Sequence, residues 1–217
     1  MSHITIFDLD DTLYPERSYV LSGFNAVAKW GEQRFGQPAE QSQAEMAALL
    51  ERDGRGRIFD DWLRGRASAR EAVNVYRRHD PDISLAPAAV RVLDALGGQP
   101  LYLVTDGHKM VQARKVAALG IADRFERCYL TNRYGRANAK PSLHCFDLIR
   151  RRTGAEWRDL VYIGDNPAKD FVSLNAVGAK TIRVMTGEHV AAVPPPGYDA
   201  RHRIDTLDHL VDLLEII

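Results

Sequence analysis

Short runs of apolar and β-branched residues, each stopping at a polar side chain, recur along this chain with helical segments between them. His3-Ile4-Thr5-Ile6-Phe7 ends at Asp8, Leu101-Tyr102-Leu103-Val104 at Thr105, and Leu160-Val161-Tyr162-Ile163 at Gly164-Asp165. Thr181-Ile182-Arg183-Val184 reads as a further strand, and Arg127-Cys128-Tyr129-Leu130 as a candidate third. Runs this short and this apolar suit strands covered on both faces. Between them Pro87 suits the first turn of a helix that ends at Gly97-Gly98. Further helices are read over 107–119, 141–152 and 167–177, and a C-terminal one carries Leu207, Leu210, Val211 and Leu214. This alternation predicts an α/β fold, a Rossmann-like parallel sheet covered by helices on both faces.

The stretch from 14 to 85 breaks the alternation. It holds helix-like segments over 17–35, 39–51, 59–64 and 69–78, separated by Gly36 and Pro38, then Gly54 and Gly56, then Gly65. The expected organisation is a catalytic core made of 1–13 and 86–217, with 14–85 inserted as a helical cap. Trp30, Phe35, Phe59 and Trp62 fall at helical spacings and read as the core of that insertion. Arg55 and Arg57, in the loop Gly54-Arg55-Gly56-Arg57, are candidates for reaching over an anionic substrate.

Composition excludes several classes of partner. Lysine plus arginine and aspartate plus glutamate number 29 each, so no net field draws the chain to nucleic acid or to an anionic membrane. No apolar stretch approaches the length of a membrane span, and no basic region precedes an apolar signal segment at the N-terminus. Cys128 and Cys145 form no C-x-x-C pair and read as ordinary reduced thiols. A cytoplasmic location is the expectation. Nothing in the sequence sets the oligomeric state.

The polar residues that end the strands carry the chemistry. In an open parallel sheet the carboxyl ends of the strands border the binding crevice. Asp8 and Asp10, Thr105-Asp106-Gly107, Lys140 and Asp165 are therefore expected to converge, with Asp170 five residues beyond Asp165. Asp8, Asp10 and Asp165 gathered together repel one another unless a cation joins them, and oxygen-only ligation suits Mg2+. Lys140 supplies a positive charge and Thr105 a hydroxyl for phosphoryl oxygens, while backbone N–H groups at Asp106 and Gly107 add an anion site. A carboxylate nucleophile splits a hard hydrolysis into two easier steps. Asp10, two residues from Asp8, is placed to serve as acid and base if the chain bends just after the strand.

With these residues the chain resembles the haloacid dehalogenase superfamily of phosphatases. Asp8-Leu9-Asp10-Asp11-Thr12 matches the first motif of that family, Thr105 the second, Lys140 in Ala139-Lys140-Pro141 the third, and Gly164-Asp165 through Asp170 the fourth. The helical insertion resembles the family's α-helical cap placed between motifs one and two. The resemblance implies that Asp8 is nucleophile and metal ligand, and that Asp10 is acid/base with its carbonyl on the metal. It further implies that Thr105 and Lys140 bind phosphate, that Asp165 binds the metal, and that Asp170 orients the site. Asp106 stands where many relatives carry asparagine. Asn166 follows Asp165 directly, and Asp170 either meets the metal or pairs with Lys140.

The activity implied is Mg2+-dependent hydrolysis of a small phosphorylated metabolite, such as a sugar phosphate or nucleotide, through an aspartyl-phosphate. Alternatives are a phosphoryl-transferring mutase, a 2-haloacid dehalogenase and a non-catalytic phospho-ligand-binding relative. Asp10 argues against dehalogenation, which has no alkoxide to protonate, and a full motif set argues against the non-catalytic relative. A response-regulator receiver also surrounds an aspartyl-phosphate with acids, a threonine and a lysine, but its acceptor lies on a later strand and it has no helical insertion.

Overall fold

A computed structural model describes residues 3–217. The chain divides into two compact units, one formed by Met1–Glu16 with Ser84–Ile217 and the other by Arg17–Ile83. In chain order the elements open with β1 (Ile4–Phe7) and four helices, α1 (Glu16–Phe35), α2 (Ala39–Asp53), α3 (Ile58–Leu63) and α4 (Ala69–Arg78). Then come α5 (Pro87–Ala95), β2 (Leu101–Thr105), α6 (Lys109–Ala118), β3 (Arg127–Leu130), α7 (His144–Thr153) and β4 (Leu160–Gly164). The chain finishes with α8 (Val172–Ala176), β5 (Lys180–Val184), β6 (His202–Ile204) and α9 (Leu210–Ile216).

The first unit is built on a 6-stranded sheet of order β3-β2-β1-β4-β5-β6, with every neighbouring pair parallel. β1, β2 and β4 are buried at every position, as strands covered on both faces must be. From β1 the chain builds outward through β2 to β3, then returns to the other flank and builds from β4 to β6. The order reverses between β1 and β4, and in such a sheet that switch point marks the ligand crevice. Ile6, Tyr102, Val104, Phe146, Ile149, Tyr162, Phe171 and Leu174 pack in one buried cluster of this unit.

The second unit is all helical. Phe24, Val27, Met46, Trp62 and Ala72 form its buried centre, with Trp30, Phe35 and Phe59 packed partly buried against it. Two glycines let aromatic rings rest directly on α1: a Cβ at Gly31 would lie 2.6 Å from the Trp62 ring, and one at Gly23 would overlap Tyr76. Trp30, Phe35, Phe59 and Trp62 pack into this unit's core, as their spacing suggested. Arg55 and Arg57 lie in the turn between α2 and α3, where both are exposed and Arg57 sits 3.6 Å from Asp61.

Helix starts differ from the sequence reading in informative ways. The helix expected from Pro141 begins at His144, because a turn closed by Ser142 N donating to Ala139 O (2.9 Å) comes first. The Ser142 hydroxyl then accepts from His144 N at 3.3 Å. The helix expected over 167–177 shrinks to Val172–Ala176. Residues 166–171 are held instead as a turn in which Asp170 N donates to Asn166 O (3.0 Å) and Asn166 N to Asp170 Oδ2 (2.9 Å). The helix after β2 begins at Lys109 rather than Gly107, whose φ of +131° is non-helical. β6, which no expectation included, is a three-residue edge strand. Among the described residues no helix is long and apolar enough to cross a membrane.

Candidate active site

β1 and β4 pair in register from Ile4↔Leu160 to Phe7↔Ile163, and Asp8 N extends the ladder by donating to Ile163 O at 2.8 Å. Asp8 and Asp165 therefore leave adjacent strands at the switch point. The turn that follows is tight: Leu13 N donates to Leu9 O (3.0 Å), and Asp11 adopts a left-handed φ of +54°. That conformation is uncommon outside glycine, although aspartate tolerates it better than most residues. It is braced from β5's outgoing loop, where Thr186 Oγ1 donates to Asp11 O at 2.5 Å and Glu188 N to Asp11 Oδ2 at 3.3 Å. Gly187 makes this approach possible, since a Cβ there would collide with the Asp11 side chain.

Asp8, Asp165 and Asp170 are buried, and each offers a carboxylate oxygen within 4.8 Å of the others. One lysine enters their midst. Lys140 Nζ lies 2.9 Å from Asp8 Oδ1 and 2.7 Å from Asp170 Oδ1, and donates to Tyr162 Oη at 2.8 Å. Burial alone would lower the Lys140 pKa, but Asp170 and Asp8 raise it well above its ordinary value, so it is a cation. One cation among three carboxylates leaves negative charge in excess. Burial, relieved in part by Lys140 and reinforced by Asp170, pushes the Asp8 carboxyl up to about 6. Burial first, then Asp8 and Asp170, push Asp165 to about 9.

This donor set fits a hard divalent cation. Its ligands are all carboxylate oxygen, they converge from separate loops, and buried Asp8 Oδ1 has an ion pair but no hydrogen bond. Asp170 pairs with Lys140, and its carboxylate also lies within reach of Asp8 and Asp165. The carboxylate of Asp10 is not in the trio. Its Oδ1 accepts from Lys115 Nζ (2.6 Å) and Tyr14 Oη (2.6 Å), and its Oδ2 from Gln112 Nε2 (2.8 Å). Burial would raise its pKa, but the Lys115 cation and these three donors outweigh burial and hold it below the ordinary value.

Thr105 ends β2 and is buried, with its Oγ1 accepting from Gln112 Nε2 at 2.6 Å. The side chain of Asp106 is a brace: Oδ1 accepts from Thr131 Oγ1 (2.6 Å) and Lys140 N (3.1 Å), and Lys169 Nζ stands 3.8 Å from Oδ2. It thereby fixes the backbone of the lysine that enters the acidic trio. Asn166 Oδ1 accepts from Ala168 N at 3.0 Å and its amide nitrogen meets His189 Nε2 at 2.8 Å, so this side chain shapes the turn that delivers Asp165 and Asp170. Gln112, Lys115, Tyr14 and Thr131 were not singled out from the sequence. A polar pair three residues apart on the buried face of α6, which also carries Val111 and Val116, is the signal that would have found the first two.

Comparison with known proteins gives the same frame. Residues 4–178 match the family model described as haloacid dehalogenase-like hydrolase. The chain is 25% identical to a glyceraldehyde 3-phosphate phosphatase of Methanocaldococcus jannaschii, an alignment covering 97% of this chain and 96% of that one. A protein of the same description from Methanopyrus kandleri is 28% identical over 87% of this chain and 86% of its own. Among solved structures, a 2-haloacid dehalogenase from Pseudomonas syringae pv. Tomato superposes with a TM-score of 0.70 at 21% identity, covering 100% of this chain and 99% of that one, a likeness of fold. With the acids of β1 and β4 converging at the switch point and the family model spanning most of the chain, this protein is a haloacid dehalogenase-like hydrolase.

Proposed function

We propose that the protein hydrolyses a small phosphate monoester through an aspartyl-phosphate on Asp8. The observation that carries this reading is the surplus of negative charge at Asp8, Asp165 and Asp170 around a single buried Lys140. A phosphate dianion approaching such a site needs both Lys140 and a divalent cation. The two archaeal relatives described as glyceraldehyde 3-phosphate phosphatases support a sugar-phosphate-like substrate. Asp8 and Asp165 would hold Mg2+ together with the main chain of Asp10, with Asp170 orienting the set. When bound, the ion neutralises charge on the phosphoryl oxygens and the nucleophile.

The chain's own residues account for the remaining steps. An Asp8 carboxylate oxygen attacks phosphorus, the ester P–O bond breaks, and the leaving alkoxide takes a proton from Asp10, which enters the step in its protonated form. Asp10 then removes a proton from water, which attacks phosphorus and breaks the Asp8–phosphate bond, releasing phosphate and the free carboxylate. The proton Asp10 takes from water replaces the one it gave to the alkoxide. Lys140, with backbone N–H groups of Asp106 and Gly107 and the Thr105 hydroxyl, holds the phosphoryl oxygens. The helical unit of 17–83 serves as the cap that selects the substrate, with Arg55 and Arg57 as its anion contacts. The reaction is placed in the cytoplasm on small metabolites, with neither nucleic acid nor membrane as partner.

The test is turnover of p-nitrophenyl phosphate with Mg2+. Asp8→Asn is expected to abolish it while leaving the thermal melt two-state, and chelation is expected to silence the wild type reversibly. An Asp8→Asn protein that still turns over, or a rate untouched by exhaustive chelation, refutes the mechanism.

A further inference from the structure

Gln112 and Lys115 lie one helical turn apart on α6, are both buried, and have no part in the steps just described. Their contacts fix the acid/base group from one side. The Gln112 amide has two N–H donors, and both are used, on Asp10 Oδ2 at 2.8 Å and on Thr105 Oγ1 at 2.6 Å. The opposite amide orientation would set its oxygen against a carboxylate oxygen, so the donor arrangement is the favourable one. Gly107 leaves room for it: a Cβ at that position would lie 3.2 Å from Gln112 Cδ. Lys115 Nζ joins Asp10 Oδ1 at 2.6 Å to Glu16 Oε1 at 3.2 Å.

Two consequences follow from counting lone pairs. Tyr14 and Lys115 both donate to Asp10 Oδ1 and fill it, while Gln112 occupies one site on Oδ2 and leaves the second. Thr105 Oγ1, accepting from Gln112, is left with its O–H to donate elsewhere, and a phosphoryl oxygen is the acceptor its position suits. One amide thus ties the phosphate-holding hydroxyl to the acid/base carboxylate.

We propose that Gln112 and Lys115 are positioning residues that lock Asp10 in one orientation, couple it to Thr105, and leave Asp10 Oδ2 as the atom that exchanges the proton. This rests on the phosphatase reading above. Neither residue exchanges a proton with substrate or binds the phosphoryl group. Both act through Asp10 and Thr105.

The experiment compares Gln112→Met, Lys115→Met and Lys115→Arg as full-length proteins with Mg2+ on p-nitrophenyl phosphate and on glycerol phosphate. Lys115→Met is expected to lower kcat on glycerol phosphate by about 10- to 100-fold at nearly constant KM, a part of the roughly 100- to 10,000-fold that general acid–base catalysis supplies. The loss should be smaller on the aryl ester, whose leaving group needs no proton, and Lys115→Arg should restore much of it. Gln112→Met is expected to lower kcat in the same ester-dependent way and also to raise KM, because Thr105 loses its orienting partner. Wild-type kcat in both methionine variants, or an equal loss on both esters, overturns the proposal. If Lys115→Met does not fold, Gln112→Met decides alone. Crystals of the variants give a readout independent of turnover: a displaced Asp10 carboxylate supports positioning, and an unmoved one overturns it. A wild type inert on every phosphate ester sinks the phosphatase reading, while those crystals still decide the role of Gln112 and Lys115.

Discussion

Replacing Asp165 by asparagine separates the charge of this side chain from its shape. In the metal-free protein burial, then Asp8 and Asp170, lift its carboxyl from 3.8 to about 9. An acid whose folded pKa lies above its unfolded value costs stability once the pH exceeds the unfolded value, because the unfolded chain releases a proton that the folded one keeps. That cost begins near pH 4, grows through neutrality and levels off near pH 9. At pH 7 a gap of about three pH units, at about 1.4 kcal/mol each, bounds it at about 4 kcal/mol. Metal-free Asp165→Asn is therefore expected to melt above the wild type at pH 7 and level with it at pH 4. Mg2+ narrows the gap. At about 100 times its Kd a ligand adds about 2.7 kcal/mol, or roughly 5–11 °C in Tm for a chain of this size. The wild type should gain that increment and the variant little of it. Calorimetric scans at pH 4 and pH 7, with chelator and with Mg2+, read all four corners. A variant that melts below the wild type without metal and gains as many degrees from Mg2+ refutes the reasoning.

Three further outcomes follow from other contacts. Lys140→Met leaves Asp8 and Asp170 buried without their cation, which should cost about 3–5 kcal/mol at neutral pH and less in acid as the Asp8 carboxyl takes up a proton; an unchanged urea midpoint at pH 7 would show that the lysine balances nothing. Gly31→Ala puts a methyl 2.6 Å from the Trp62 ring, and overpacking of about 1–3 kcal/mol should exceed the gain of about 0.5–1 kcal/mol in helix propensity, lowering the thermal midpoint. A more stable Gly31→Ala would mean that Trp62 moves freely. Arg55→Ala with Arg57→Ala should raise KM on the physiological phosphate ester with kcat retained, and an unchanged KM removes both arginines from substrate binding.

The parts of the fold that carry chemistry were legible because their signals are local. An apolar run that stops at Asp8, Thr105 or Asp165 announces both a buried strand and the polar group at its end. β6 gave no such signal: His202-Arg203-Ile204 is short and charged, only Ile204 is buried, and pairing with β5 alone makes it a strand. Pro141 and Pro167 look like helix starts from composition, yet hydrogen bonds from Ser142 and Asp170 close turns there first. The convergence of Asp8, Asp165 and Asp170 follows from strand order and was expected. The diversion of the Asp10 carboxylate to α6 was not, since it depends on which face of that helix turns inward.

That diversion divides the charges into two groups with different needs. Asp10 and Glu16 share Lys115, with Tyr14 and Gln112 adding hydrogen bonds, so the Asp10 carboxylate is satisfied by the protein itself. Asp8, Asp165 and Asp170 share Lys140, and the carboxyls of Asp8 and Asp165 rise accordingly. A site meant only to displace halide from a neutral carbon would gain nothing from the surplus acid at Asp165, whose own carboxyl is pushed up to about 9 by burial, Asp8 and Asp170. A site meant to receive a phosphoryl group with its own counter-cation has a use for that surplus, because a bound cation would return the Asp165 carboxyl to its ionised form. The same fold serves both chemistries among its structural relatives, so the distinction rests on these side chains rather than on the sheet. Asp165 favours phosphate through charge, and Asp10 favours it independently in its proposed role of protonating an alkoxide.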